Sequence, residues 1–187
     1  EEVFSESKQV SVNEGDKSLV FPVQIPNDIS TTYFLSLKLK NKNDSIVSDN
    51  FYWLSAKKDI EGVKKEVPIF HQGRTWHVFA AEQESYADFT SLKELPKVKV
   101  NMDYFMEPGE EENTVSVFLE NPSQTIAFGI NLSLVKSLNG EDILPAYWDD
   151  NYFSLLPGES RTVKVRYKPI KSKNKDVDVL LKGWNVL

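Results

Sequence analysis

The sequence predicts an all-β protein of two β-sandwiches in tandem, and three observations carry that expectation. Alternating runs come first: Phe128, Ile130, Leu132 and Leu134 share one parity, and so do Val163, Val165 and Tyr167, as half-buried antiparallel strands require. Between them, Leu144 to Ser160 packs a loop, a short strand and a Pro157-Gly158 turn, the layout of a sandwich edge. The third is length, since 187 residues are long for one small sandwich and suit two units of about 90 each.

That size fits an immunoglobulin-like unit, so the expected architecture is two immunoglobulin-like β-sandwiches, at 1-96 and 97-187. In the first half, residues 8 to 12, 18 to 25, 32 to 40 and 46 to 54 read as strands rich in Val, Ile, Phe, Tyr and Leu, separated by Asn, Asp, Gly and Pro. Tyr33, Leu35, Leu37 and Leu39 make one apolar face, and Asn41 to Asp44 is the polar turn returning into Ile46 to Trp53. From 57 to 94 the pattern weakens to a charged run and two short apolar runs, with a helical turn expected within 82 to 94. Pro96 biases Leu95 toward extended chain and closes the unit.

The second half reads as seven short strands, at 97 to 104, 113 to 121, 125 to 137, 142 to 147, 151 to 155, 160 to 168 and 176 to 186. Met106 to Asn113, with Pro108, Gly109 and three successive glutamates, and Lys168 to Asp178 read as solvated turns. No strict repeat or low-complexity tract appears, although Asn50-Phe51-Tyr52-Trp53 and Asn151-Tyr152-Phe153 echo one another.

Composition narrows the function. Hydrophobic residues are 40%, charged residues 27% and aromatic residues 12%, which gives a folding chain large side chains to bury. A net charge of -6 with scattered lysines argues against nucleic acid. With no cysteine there is no disulfide, thiolate nucleophile or Cys-based zinc site. No apolar run approaches the roughly 18 residues of a membrane helix. A start on Glu1-Glu2-Val3 suggests a piece trimmed from a larger protein.

Asn50 to Ser55, Tyr86 to Leu92, Ile126-Ala127-Phe128 and Leu144 to Ser160 together resemble the C-terminal domains of family 2 glycoside hydrolases. The branch they are most similar to is that of the exo-β-mannosidases and exo-β-glucosaminidases, and the run from Trp148 to Ser160 is its most specific part. The resemblance implies non-catalytic domains that follow an upstream TIM-barrel catalytic domain in the same parent chain, which would act on terminal β-mannosyl or β-glucosaminyl units. It also implies a periplasmic or secreted parent and no cofactor. The family's catalytic glutamates belong to the barrel, and no position here matches them, so the catalytic set is expected to be empty and the fragment inactive alone. Residues 1 to 49 supply fewer strands than the family has before Asn50. The first sandwich is therefore expected to be short at its N-terminus, with homodimer pairing through an exposed edge or an incomplete, less stable domain as the result.

The carboxylates weighed for glycosidic chemistry are Asp149 with Asp150, Glu82 with Glu84 and Asp88, and Glu110 to Glu112, each better read as a turn or solvated face. Asp149, Asp150 and Asn151 offer oxygens for calcium, but their spacing is not that of an EF-hand, and Asx turns explain them better. His71 and His77 lack a third zinc ligand, so no metal is expected. Of the tryptophans, Trp53 and Trp184 lie in strands and read as core, whereas Trp76 and Trp148 sit beside loops. The glycan-contact candidate is accordingly Trp148 with Asp149, Asp150 and Asn151, and the alternative function is a free-standing carbohydrate-binding or adhesion module. Asn131-Leu132-Ser133 fits a glycosylation pattern inside an expected strand and reads as coincidence.

Overall fold

Strands that alternate apolar and polar side chains can bury one face against a second sheet, and residues 95–187 do so. A computed structural model describes residues 2–169 and 177–187 and divides the chain into two units, Glu1–Glu94 and Leu95–Leu187. The expected turn from Lys168 to Asp178 lies, for residues 170–176, outside the described residues.

Unit 1 holds β1 (Thr32–Lys40) paired antiparallel with β2 (Ile46–Ser55), and β3 (Ile60–His71) paired with β4 (Arg74–Ser85). The Asn41 side chain shapes the β1–β2 turn: its Oδ1 accepts from the N–H of Asn43 at 2.9 Å and of Ser45 at 3.1 Å. At the β3–β4 turn Gln72 and Gly73 both take positive φ, 49° and 73°, the two-residue geometry whose twist matches the flanking strands. A 3₁₀ turn at Thr90–Glu94 buries Leu92.

Residues 8–12 and 18–25, expected as strands, are not strands here: their alternation suits a sheet, but no ladder is assigned to them. A turn closed by Asp16 N–H on Asn13 C=O at 3.1 Å and a Lys8 Nζ bond to Val20 C=O at 2.9 Å join them instead. Conversely, the weakly patterned stretch from 57 forms the longest hairpin, with the helical turn confined to its far end. Instead of a closed sandwich, unit 1 shows two separate two-stranded hairpins, and Leu92 is its only buried apolar side chain among the described residues.

Unit 2 is an antiparallel sandwich. One sheet runs β5 (Asn101–Glu107), β6 (Asn113–Glu120), β10 (Ser160–Tyr167), β8 (Ala146–Trp148); the other runs β11 (Val177–Lys182), β7 (Ala127–Lys136), β9 (Phe153–Leu155). Each of the seven expected strands overlaps an observed one, but the 142–147 run is strand only from Ala146, and β5 continues to Glu107, into the stretch expected as a turn. The 97–104 run begins its ladder only at Asn101, and Val98 instead makes an isolated parallel bridge to Val186. Val115, Val117 and Leu119 of β6 and Val163, Val165 and Tyr167 of β10 pack with Ile130, Leu132 and Leu134 of β7 in one core. Burying such side chains stabilises by about 1.5–3 kcal/mol each. The buried polar residues of this unit are satisfied. Asn121 Nδ2 donates to Thr125 and Leu155 carbonyls, and Asn185 Nδ2 donates to Pro96 and Ile126 carbonyls while its Oδ1 accepts from Phe128 N–H.

Candidate functional site

Strand pairing decides where the Trp148 segment points. Trp148 sits opposite Val165, an inward position, and its ring packs against the core; Tyr147 sits opposite Arg166, an outward position, and is 53% exposed. The expected exposure of the tryptophans is thus partly reversed, since Trp53 and Trp184, read as core, are exposed.

The polar members of the segment are engaged within the fold. Asp149 Oδ1 accepts from Lys164 N–H at 2.7 Å, and Asp149 N–H donates to Lys164 C=O at 2.9 Å, so the segment keeps pairing with β10 beyond β8. Asp150 pairs with Arg161, whose guanidinium also stands 5.0 Å over the Phe153 ring. Asn151 bonds both backbone groups of Leu132 at 2.9 Å, one by Oδ1 and one by Nδ2. Asn131, the glycosylation-pattern asparagine, turns its Nδ2 toward Asn151 Oδ1 at 3.4 Å.

The other candidates scatter. Asp88 accepts from the Thr90 hydroxyl at 2.6 Å and the Thr90 N–H at 2.9 Å, bonds that hold its carboxyl below the ordinary value. Glu112 pairs with Arg166 at 3.0 Å, and His77 Nδ1 meets Glu66 at 2.9 Å across the β3–β4 hairpin. Among the described residues no three His, Cys, Asp or Glu side chains gather as a metal-holding group. Nor is any helix there long and apolar enough to cross a membrane.

What sequence reading missed is a trough on the outer face of the β5–β6–β10–β8 sheet. One row crosses the strands as Glu107, Thr114, Arg166 and Tyr147, and the neighbouring row as Phe105, Ser116 and Lys164, with Asp149 beside it. Short Thr114 and Ser116 lie in the middle and longer side chains at the sides. A shallow depression of about 410 Å³ results, lined by Glu107, Thr114, Tyr147, Asp149, Lys164 and Arg166, with Trp148 at its wall. The missing signal was strand register, without which Tyr147 and Trp148 cannot be assigned to opposite faces.

Comparison with known proteins fits this fold. The family model for the exo-β-D-glucosaminidase Ig-fold domain matches residues 78–186, more than half of the chain. The chain belongs to this family. It is 30% identical over 174 residues to an exo-β-D-glucosaminidase of Amycolatopsis orientalis, an alignment covering 91% of this chain and 16% of that protein. It is 31% identical over 153 residues to one of Arthroderma benhamiae, covering 82% and 15%. Among solved structures, the A. orientalis exo-chitosanase CsxA superposes with a TM-score of 0.70 at 30% identity, over 88% of this chain and 19% of that one. The chain therefore spans less than a fifth of each of these relatives. They are glucosaminidases, so that half of the expected activity is supported for the relatives and the mannosidase half is not.

Proposed function

We propose that this chain is a non-catalytic accessory part of a family 2 exo-β-D-glucosaminidase, an immunoglobulin-like sandwich preceded by a unit of two hairpins, with their boundary near Pro96, which packs against a TIM-barrel catalytic domain of the same polypeptide. The observation that carries the reading is the match of the exo-β-D-glucosaminidase Ig-fold domain family over residues 78–186, in a chain that spans less than a fifth of its relatives. The engagement of Asp88, Asp149, Asp150 and Glu112 within the fold supports it, because a carboxylate held by structural bonds is not poised to protonate a glycosidic oxygen. The parent's substrate is a terminal β-glucosaminyl unit, and its compartment periplasmic or secreted.

Unit 1 fits a part that is covered in its parent. β1 and β2 present aromatic side chains on both faces, with Phe34 stacked on Phe51 at 5.6 Å on one and Tyr33 and Tyr52 on the other. A lone two-stranded hairpin is marginal in water, and this one leaves Trp53 half exposed. The test compares the parent enzyme with a version lacking residues 1–187, assayed on PNP-β-D-glucosamine, beside the isolated chain. The expected result is a lower melting temperature and faster inactivation without the segment, and no hydrolysis by the isolated chain. A truncated parent with full activity and stability, or turnover by the isolated chain, overturns the reading.

A further inference from the structure

We propose that the trough on the outer sheet face of unit 2 binds an oligosaccharide of β-linked glucosamine units, with Tyr147 as the stacking platform and Glu107 as a partner for a sugar ammonium. The choice of sugar class rests on the function proposed above; the trough itself does not.

A saccharide offers an apolar CH face, hydroxyls that need donors and acceptors, and, in glucosamine, a cationic amine. The trough supplies each. Tyr147 is 53% exposed and stands on a strand whose next residue, Trp148, packs against the core, so the platform is exposed yet held. Arg166 pairs with Glu112 at 3.0 Å, and Asp149 accepts from the Lys164 N–H at 2.7 Å. Asp149, held against the backbone, is oriented before any ligand arrives, which lowers the ordering cost of binding. Glu107 is exposed, with no hydrogen bond or ion pair among the described residues, and is free to receive a cation.

Charge favours an amino sugar over a neutral or anionic one. The lining sets Glu107 and Asp149 against Lys164 and Arg166, but Arg166 is compensated by Glu112 from outside it, which leaves Glu107 and Asp149 against Lys164 in a chain that carries -6. Spacing favours an oligomer over a monomer. Glu107 and Tyr147 end one row across four strands, three strand spacings or about 14 Å apart, so no single pyranose reaches both.

The experiment is an amide-shift titration of the chain by NMR with glucosamine tetramer, cellotetraose and free glucosamine, at mildly acidic pH where the amines are charged. Saturable shifts with the tetramer are expected at residues 105–107, 114–116, 147–149 and 164–166. Binding should vanish in Tyr147→Ala and weaken about tenfold in Glu107→Gln, the effect of losing one charged hydrogen bond. Both side chains are exposed, so both variants should keep the parent melting temperature. No saturable shift, a shift that persists in Tyr147→Ala, or equal affinity for cellotetraose overturns the proposal. Failure of the accessory-domain reading shows separately, in the deletion experiment, which leaves the trough of the isolated chain untouched.

Discussion

Asn151 treats Leu132 as a strand neighbour would: its Oδ1 accepts from Leu132 N–H and its Nδ2 donates to Leu132 C=O, both at 2.9 Å. One side-chain amide thereby caps part of the β7 backbone that short β9 does not reach, since the β7–β9 register runs only from Ala127 to Ile130. Asn151→Ala leaves both Leu132 groups unpaired beside the core and should cost about 2 kcal/mol. Asn151→Asp should fare no better, because its second oxygen faces a carbonyl. Urea unfolding monitored at the unit 2 tryptophans checks this, and an unchanged midpoint for Asn151→Ala would refute the capping role.

Tyr104 should give unit 2 an alkaline limit. Burial, then the hydrogen bond it donates to Asp178 Oδ1 at 2.8 Å, then the nearby Asp178 and Asp103 charges raise its phenol above the ordinary 10.0. Between the unfolded and folded values the folded chain keeps a proton that the unfolded chain has lost. Stability from this group is therefore fully present below about pH 10 and falls as pH rises through the folded value. Tyr104→Phe should lose about 1 kcal/mol at neutral pH and flatten the alkaline decline. A decline of equal steepness in the variant removes Tyr104 as its source.

Legibility followed burial. β6, β7 and β10 were readable because each buries one full face, so Val115-Val117-Leu119 and Val163-Val165-Tyr167 keep strict parity. The β3–β4 hairpin was not, because Lys64, Lys65 and Glu66 face water on a ribbon with no covered face, leaving no alternation to detect. Its one local signal was Gln72-Gly73, a two-residue turn pair. Residues 8–12 and 18–25 show the opposite case, with strand-like composition but no ladder. In the candidate site, Trp148 through Asn151 was found as a segment, but which side chains face water depended on the pairing of Trp148 with Val165, a non-local fact.

Hydrogen exchange should separate the two units. Amides of β6 and β10 lie in a four-stranded sheet over a closed core, whereas β1 to β4 form two-stranded ribbons with exposed Trp53, Phe70 and Trp76. Local opening is easiest where few apolar contacts oppose it. In the isolated chain, β1–β4 amides should exchange at least about 100-fold faster than those of Val115, Val117, Val163 and Val165, since a difference of about 3 kcal/mol in opening free energy gives that ratio. Uniform protection across the chain would mean that unit 1 is sealed in solution.

Gly109 links the β5–β6 turn to the trough. A Cβ at this position would lie 2.1 Å from the Glu112 carbonyl oxygen, a backbone atom that a side-chain rotation cannot clear. Gly140 has nothing within 4 Å of its would-be Cβ, but its φ of +69° disfavours any L side chain, so its substitution tests backbone strain alone. Gly109→Ala must open the turn, displacing Glu112 and with it the ion pair to Arg166 at 3.0 Å. The expected outcome is a loss of about 1–3 kcal/mol, typical of forced overpacking, together with amide shifts at Arg166 and Tyr147. Gly140→Ala should cost about 1 kcal/mol and leave those two amides in place. Should Gly109→Ala spare the Arg166 and Tyr147 resonances, the turn and the trough are independent, and the orientation of Arg166 must come from β10 alone.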